Sequence, residues 1–155
     1  MTVAERLVAL LKAQGCTCAT AESCTGGGIG SAITAVAGSS EVYWGGVISY
    51  DNSVKHGVLG VSEETLATVG AVSSETAAQM AVGVRKLLGT DLAVSVTGIA
   101  GPGGGSAEKP VGLVWFGLAT KDGVRTEKAI FHGDRAAVRE QTVTHALGML
   151  TVAAC

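Results

Sequence analysis

The sequence predicts a single α/β domain of three layers, α/β/α, with helices on both faces of a mixed β-sheet. Amphipathic helical patterns alternate with short apolar strands along the chain, as expected of an α/β fold. Residues 91–96 form a nearly continuous apolar run, which is typical of a strand buried on both faces. Residues 111–120 and 124–131 flank the turn residues Lys-Asp-Gly and predict a C-terminal β-hairpin.

The other elements are predicted by periodicity and by capping residues. A stripe of leucines predicts a first helix that ends near Gly15. Ser62 opens a short helix, and Ser73 opens the clearest one, which ends at Gly89. Residues 42–50 are aromatic and β-branched, and we expect this strand to run through the core. The remaining predictions are a strand at 16–21, helices at 25–36 and 134–153, and a turn or one short helix at 52–57.

Length and composition indicate one globular unit covering residues 1–155. Apolar residues make up 47% of the chain and charged residues 15%, so it can build a core. The net charge of −2 argues against a nucleic-acid partner, although a local anion pocket remains compatible with it. No apolar run reaches the ~18 residues that span a membrane, and the first residues lack a signal-peptide pattern.

These features predict a cytoplasmic protein with no membrane partner. In that compartment thiols stay reduced, so all four cysteines are expected to be free. No second pair of cysteines has zinc-ligand spacing, and no metal site is expected. The four cysteines are Cys16, Cys18, Cys24 and Cys155.

Three polar clusters are candidates for chemistry, and the first is the segment Ala-Glu-Ser-Cys-Thr-Gly-Gly-Gly at 21–28. It follows a predicted strand and opens a predicted helix, where backbone N–H groups attract anions and can form an oxyanion hole. Ser23 stands where a nucleophile would be presented, but Ser23 or Thr25 could instead cap the helix. Cys24 is the alternative nucleophile, because a helix start lowers the pKa of a thiol.

The second cluster is Tyr50 and Lys55, at and after the end of the predicted strand 42–50. Ligands bind at strand ends in α/β proteins. A serine hydroxyl needs a base, and a lysine whose pKa is lowered by burial can be that base. Tyr50 would relay the proton or orient the lysine. The alternative is a solvated lysine beside a half-buried tyrosine.

The third cluster is the glycine-rich loop at 97–106, which leaves the apolar strand. Its N–H groups could converge on a phosphate, or the loop could be a flexible surface turn. Arg135 and Arg139 lie four residues apart near the start of the last predicted helix and form a candidate phosphate clamp. Pairing of these arginines with Asp134 or Glu140 in solvent is the alternative.

Taken together, these segments resemble the CinA C-terminal domain family. The order and spacing of the matching segments are specific, and the similarity runs from about residue 4 to residue 150. The matching segments are 20–27, 38–40, 50–52 with Lys55, 70–73, 97–102, 104–106, 108–112 and 133–135.

The resemblance implies hydrolysis of the carboxamide of nicotinamide mononucleotide to nicotinic acid mononucleotide and ammonia, a step of pyridine nucleotide salvage. It also implies a compact α/β/α domain that needs no metal or cofactor and is often a homodimer. The family's nucleophile falls on Ser23 and its base on Lys55, with Tyr50 assisting. The residues expected to bind the substrate or its oxyanion come from all three clusters and from 38–40. They are Thr25, Gly26, Gly27, Ser40, Thr97, Gly98, Gly101, Arg135 and Arg139.

Two other functions fit the same residues. A non-catalytic nucleotide sensor would use the glycine loops for binding and leave Ser23 as a helix cap. A serine amidase acting on another small amide would use the same serine and lysine.

Overall fold

The computed structural model describes residues 1–155, which form five strands, six α-helices and one 3-10 turn at Ser39–Glu41. None of the helices is both long and apolar enough to cross a membrane. In chain order the elements are α1 (Val3–Gln14), β1 (Cys18–Glu22), α2 (Gly28–Thr34), β2 (Tyr43–Ile48), α3 (Asn52–Gly57), α4 (Glu63–Thr68), α5 (Ser74–Leu88), β3 (Leu92–Gly98), β4 (Leu113–Thr120), β5 (Gly123–Ile130) and α6 (Arg135–Ala153).

The five strands form one mixed sheet in the order β2-β1-β3-β4-β5. β1 pairs in parallel with β2 and β3, whereas β3, β4 and β5 are antiparallel neighbours. Helices α1, α2 and α6 pack together on one face, and α5 covers the other. The predicted α/β/α class, mixed sheet and C-terminal hairpin are therefore confirmed.

Side chains of β1, an interior strand of the sheet, alternate between the two cores. Ala19 and Ala21 pack in the core beneath α5, whereas Cys18 packs in the core beneath α1 and α6. Successive side chains of a strand point to opposite faces. The residues that continue β1 beyond Glu22 therefore inherit this alternation, which decides where Ser23 and Cys24 point.

Two predicted elements differ from the structure, and a third, left open between two possibilities, is decided by it. β2 lies at the edge of the sheet, with half-buried and exposed residues in alternation, so it does not run through the core. α2 begins at Gly28 because Gly26 and Gly27 adopt positive φ angles of 58° and 101°, which a helix cannot contain. Residues 52–57, which were predicted to form a turn or one short helix, form the helix α3. Asp51 caps this helix by accepting a hydrogen bond from Ser53 N.

The prediction of four reduced thiols is wrong for two cysteines. Cys16 and Cys155 form a disulfide with a Cα–Cα distance of 6.0 Å, while Cys18 and Cys24 are free and buried. Cys16 precedes β1 and packs in the same core as Cys18. Packing of α6 beside α1 returns the end of the chain to the start of β1, and a sequence separation of 139 residues gave no sign of that proximity.

Reduction of this disulfide is expected to lower the melting temperature markedly. Closing so long a loop restricts the unfolded chain and stabilises the fold by up to roughly 5 kcal/mol. For a chain of this size that corresponds to a shift of about 10 °C. Thermal melts with and without dithiothreitol measure the shift, and a thiol count should rise from two to four. Cys155→Ser should melt at one temperature under both conditions; a wild-type melt insensitive to reductant would contradict the prediction.

Candidate active site

The strand-to-helix corner after β1 and the helix α3 bring Ser23 and Lys55 together. Nζ of Lys55 lies 3.1 Å from Oγ of Ser23, although the residues are 32 positions apart. Both are buried: Ser23 is 8% exposed and Lys55 only 1%. Ser23 continues the face of Ala19 and Ala21, which is the α5 side of the sheet, and the segment that follows α3 packs in the same core. A potential nucleophile and a potential base thus share one poorly hydrated pocket.

Three oxygen atoms surround Nζ of Lys55, and one of them is the hydroxyl of Ser23. Nζ also donates to the backbone carbonyl oxygens of Ser49, at 2.6 Å, and Tyr50, at 3.1 Å. A charged ammonium has three protons and would give the third to Ser23 Oγ. A neutral amine has two protons, which the two carbonyls take, so its lone pair faces the serine hydroxyl. In that state Lys55 can accept the Ser23 proton without changing its position.

Burial lowers the pKa of Lys55 below its ordinary value, and desolvation of the ammonium is the principal cause. The charge of Asp51 opposes this by raising the pKa, as a nearby carboxylate stabilises the ammonium. Asp51 is not in ion-pair contact with Lys55. The lowered pKa increases the neutral fraction that can act as a base.

Cys24 points away from this pair. Its side chain belongs to the core beneath α1 and α6, on the face of the sheet opposite Lys55. Desolvation by burial raises the thiol pKa to about 11, so the nucleophilic thiolate is scarce near neutral pH. The geometry therefore favours Ser23 over Cys24 as the nucleophile.

The corner that carries Ser23 leaves several backbone N–H groups without an acceptor. Ser23 N donates to Val96 O and Gly26 N donates to Ser23 O, each at 3.1 Å. The N–H groups of Cys24, Thr25 and Gly27 have no acceptor in the protein. Free N–H groups next to a nucleophile are the donors that an oxyanion hole requires.

Glu22 is a residue that sequence reasoning did not single out as functional. Its buried carboxylate accepts hydrogen bonds from Thr25 Oγ1 at 2.6 Å, Ile29 N at 2.9 Å and Gly30 N at 3.0 Å. It therefore caps α2 from the end of β1, where Gly27 has no side chain to do so. The hydroxyl of Thr25 is occupied by this contact, so its backbone N–H is the group left for a ligand.

Ser49 also escaped the sequence analysis, because it acts through a backbone carbonyl that carries no residue-type signal. Its own N–H donates to Glu22 O at 2.7 Å, which joins the end of β2 to the serine corner. For Glu22 a signal did exist: a carboxylate ends a strand of otherwise small residues. Such a buried charge needs partners, and its partners define the corner.

Arg135 joins two of the predicted clusters. Its Nη1 donates to Gly101 O at 2.7 Å, and its Nη2 lies 3.4 Å from the hydroxyl of Tyr50. Tyr50 is 65% exposed, and only its backbone carbonyl contacts Lys55. The predicted relay through the phenol is therefore not built into this geometry, in which the tyrosine hydroxyl faces Arg135.

Arg139 is tied to backbone rather than to a carboxylate. Its Nε donates to Cys24 O at 3.1 Å and its Nη2 to Thr25 O at 3.0 Å. Neither Asp134 nor Glu140 forms an ion pair with Arg135 or Arg139, so the alternative of pairing in solvent is wrong. Both arginines lie at the N-terminal end of α6, one helical turn apart.

Of two further predicted substrate-binding residues, Ser40 lies far from the corner and Thr97 lies beside it. Ser40 precedes β2 and therefore lies near the end of the sheet at which β1 begins. The length of β1 separates it by about 16 Å from the corner where β1 ends. Thr97 does lie beside the corner, since its neighbour Val96 accepts from Ser23 N. Its buried hydroxyl donates to Ala71 O at 2.8 Å, so it also holds the loop before α5.

The glycine-rich loop leaves β3, which contacts the corner through Val96. A side chain at Gly98 would meet the backbone of Leu113 at 2.7 Å, and Gly101 has a φ of 85°. The N–H groups of Ala100 and Gly101 have no acceptor in the protein. Gly98 and Gly101 are thus positions where glycine is required, and the loop offers further donors for an anion.

Neither a metal-ligand cluster nor a large cleft marks this site. The one cluster of potential metal ligands consists of Cys16, Asp91 and Cys155, at the opposite end of the strands. Its two sulfur atoms are bonded to each other in the disulfide. A surface cleft of about 850 Å³ is lined by α1, α2 and α6 and contains neither Ser23 nor Lys55. Chemistry rather than cavity size identifies the candidate site.

Curated relatives match nearly the whole chain. One, named nicotinamide-nucleotide amidohydrolase PncC, from Enterobacter agglomerans, is 57% identical over 140 residues, covering 90% of this chain and 85% of the relative. A protein of the same name from Escherichia coli strain K12 is 50% identical, covering 97% of this chain and 92% of the relative. A putative competence-damage inducible protein from Thermoanaerobacter sp. strain X514 is 50% identical over 94% of this chain, which spans 35% of that longer relative.

Solved structures show the same architecture. A competence/damage inducible protein from Agrobacterium tumefaciens superposes with a TM-score of 0.94 at 47% identity, covering 97% of this chain and 92% of the other. A CinA superfamily protein from Enterobacter cloacae superposes with a TM-score of 0.93 at 35% identity, over 100% and 94%. The model of the CinA C-terminal domain matches residues 1–153. The chain therefore belongs to the CinA C-terminal domain family.

Proposed function

We propose that the protein hydrolyses the carboxamide of nicotinamide mononucleotide to nicotinic acid mononucleotide and ammonia. The contact that carries the proposal is the buried one between Lys55 Nζ and Ser23 Oγ, at 3.1 Å. The family and the printed names of the two PncC relatives support the choice of substrate. A hydrolase of this kind would contribute to pyridine nucleotide salvage.

In the first half of the reaction Ser23 attacks the carboxamide carbon while neutral Lys55 accepts its proton. The negative charge that develops on the amide oxygen is held by free N–H groups of the corner 24–27 or of the loop 98–101. Loss of one such donor typically costs about 3 kcal/mol of transition-state stabilisation. The ammonium of Lys55 then returns the proton to the departing nitrogen, and ammonia leaves behind an acyl-serine.

In the second half water hydrolyses the acyl-serine. Lys55 accepts a proton from water, the resulting hydroxide attacks the ester carbon, and Ser23 recovers the proton as it departs. The two carbonyls of Ser49 and Tyr50 hold the amine in one place through both halves. The nucleotide phosphate would lie on the glycine-rich backbone beside Arg135, whose guanidinium already bridges Gly101 and Tyr50.

Ammonia release from nicotinamide mononucleotide, measured beside binding of the same compound by calorimetry, tests the proposal. Turnover that yields nicotinic acid mononucleotide in equal amount to ammonia would support it. Binding without turnover would favour a nucleotide sensor. Turnover of other small amides but not of the nucleotide would favour a different serine amidase. Activity should survive a chelator, and strong inhibition by it would contradict the metal-free mechanism.

A further inference from the structure

The corner after β1 contains one peptide unit whose orientation is set from outside. The N–H of Thr25 and the carbonyl of Cys24 belong to the same peptide, and this N–H has no acceptor. The carbonyl of that peptide accepts a hydrogen bond from Nε of Arg139, which lies 115 residues further along the chain. In a planar trans peptide the N–H points opposite to the C=O. Whatever holds this carbonyl therefore also aims the Thr25 N–H.

Arg139 reaches the corner from the side of α6. Arg139 extends from α6, which packs on the face of the sheet opposite α5. A carbonyl drawn toward α6 turns its N–H away from α6, toward the face that holds the Ser23 hydroxyl and Lys55. The guanidinium also donates to Thr25 O, so two successive carbonyls are anchored by one planar, charged group.

The local sequence is adapted to this contact. A side chain at Gly26 would meet Nη2 of Arg139 at 3.4 Å, and Gly26 has a φ of 58°, so glycine both permits the turn and leaves space for the guanidinium. Arg139 forms no ion pair that would explain its place. Its charge is also felt at the corner, where it lowers the pKa of the Cys24 thiol against the dominant effect of burial.

We propose that Arg139 is a positioning residue, which anchors the 24–25 peptide so that the Thr25 N–H donates to the oxyanion formed on the substrate amide. The inference rests on the proposed amide hydrolysis. It differs from the phosphate clamp expected of this arginine, since Arg139 acts through backbone and contacts no part of the substrate. The oxyanion contact strengthens as charge develops, so its loss lowers kcat more than it raises KM.

Steady-state kinetics of Arg139→Ala and Arg139→Lys with nicotinamide mononucleotide test this role. We expect kcat to fall by about 10- to 100-fold in Arg139→Ala, with KM changed less than about threefold. Added guanidinium ion at non-denaturing concentration should restore part of kcat in Arg139→Ala only. Arg139→Lys, which keeps charge but offers no planar fork, should retain the fold and still lose kcat. Arg6→Met on α1 is the matched surface control and should leave both constants unchanged.

A large rise in KM at unchanged kcat would overturn the proposal in favour of a phosphate clamp, and unchanged constants would overturn it altogether. A shift in the acid limb of the pH profile would show that Lys55 was disturbed and would also count against it. The backbone amide resonances of substrate-free protein give a readout independent of turnover: Thr25 and Gly26 should shift most in Arg139→Ala. If the wild type releases no ammonia, the proposed function fails, while unmoved Thr25 and Gly26 resonances would refute the anchoring itself.

Discussion

Ser23→Ala should lower ammonia release from nicotinamide mononucleotide by at least about a thousandfold, since removal of a serine nucleophile leaves only binding and oxyanion contacts to assist water. The only side-chain hydrogen bond of the Ser23 hydroxyl is the one it accepts from Lys55. Removal of this hydroxyl therefore leaves the backbone of the corner intact. The variant should therefore still bind the nucleotide, which calorimetry can measure beside the ammonia assay.

Cys24→Ala is the adjacent control for this prediction. Its thiol faces the opposite core and has a pKa of about 11, so we expect most turnover to remain, apart from any cost in stability. Retained turnover in Ser23→Ala together with its loss in Cys24→Ala would move the nucleophile one residue along the chain. Loss in both variants with normal melting curves would show that the corner tolerates no change in either side chain.

Lys55→Met should abolish most ammonia release, because the methionine fills a similar volume and cannot accept the Ser23 proton. General-base catalysis contributes typically about 100- to 10,000-fold, so a loss in that range is expected. Lys55→Arg should be equally inactive, since a guanidinium does not deprotonate at ordinary pH. Activity in Lys55→Arg close to that of the wild type would contradict a role as base.

The pH dependence of kcat/KM provides a second readout of the same lysine. Activity requires the neutral amine, so it should fall as the pH drops through the pKa of Lys55, which burial places below the ordinary lysine value. The charge of Asp51 raises that pKa, so Asp51→Asn should move the acid limb to lower pH. Asparagine still caps α3, which keeps Lys55 in place. A limb that stays fixed or moves to higher pH would contradict the assignment.

Local patterns were sufficient for most of the fold. The apolar run at 91–96, the hairpin turn and the serine caps correspond to β3, to β4 with β5, and to helices α4 and α5. These signals are short-range, since capping, turn chemistry and hydrophobic periodicity depend on residues a few positions apart. The same patterns did not reveal that β2 is an edge strand, because strand order depends on pairings that a single strand does not encode.

The sequence alone identified Ser23 and Lys55 as candidates, because a strand-to-helix corner and a strand end are places where ligands meet α/β sheets. Only the tertiary structure decided how they act. Packing buries Lys55 against the carbonyl of Ser49, six residues earlier in the chain. It turns the Cys24 side chain into the other core, and it brings Arg139 to the corner from 115 residues away. The Cys16–Cys155 disulfide and the remote position of Ser40 were set in the same way. Backbone acceptors, desolvation and proximity arise only when distant segments pack, so no residue pattern could have specified them.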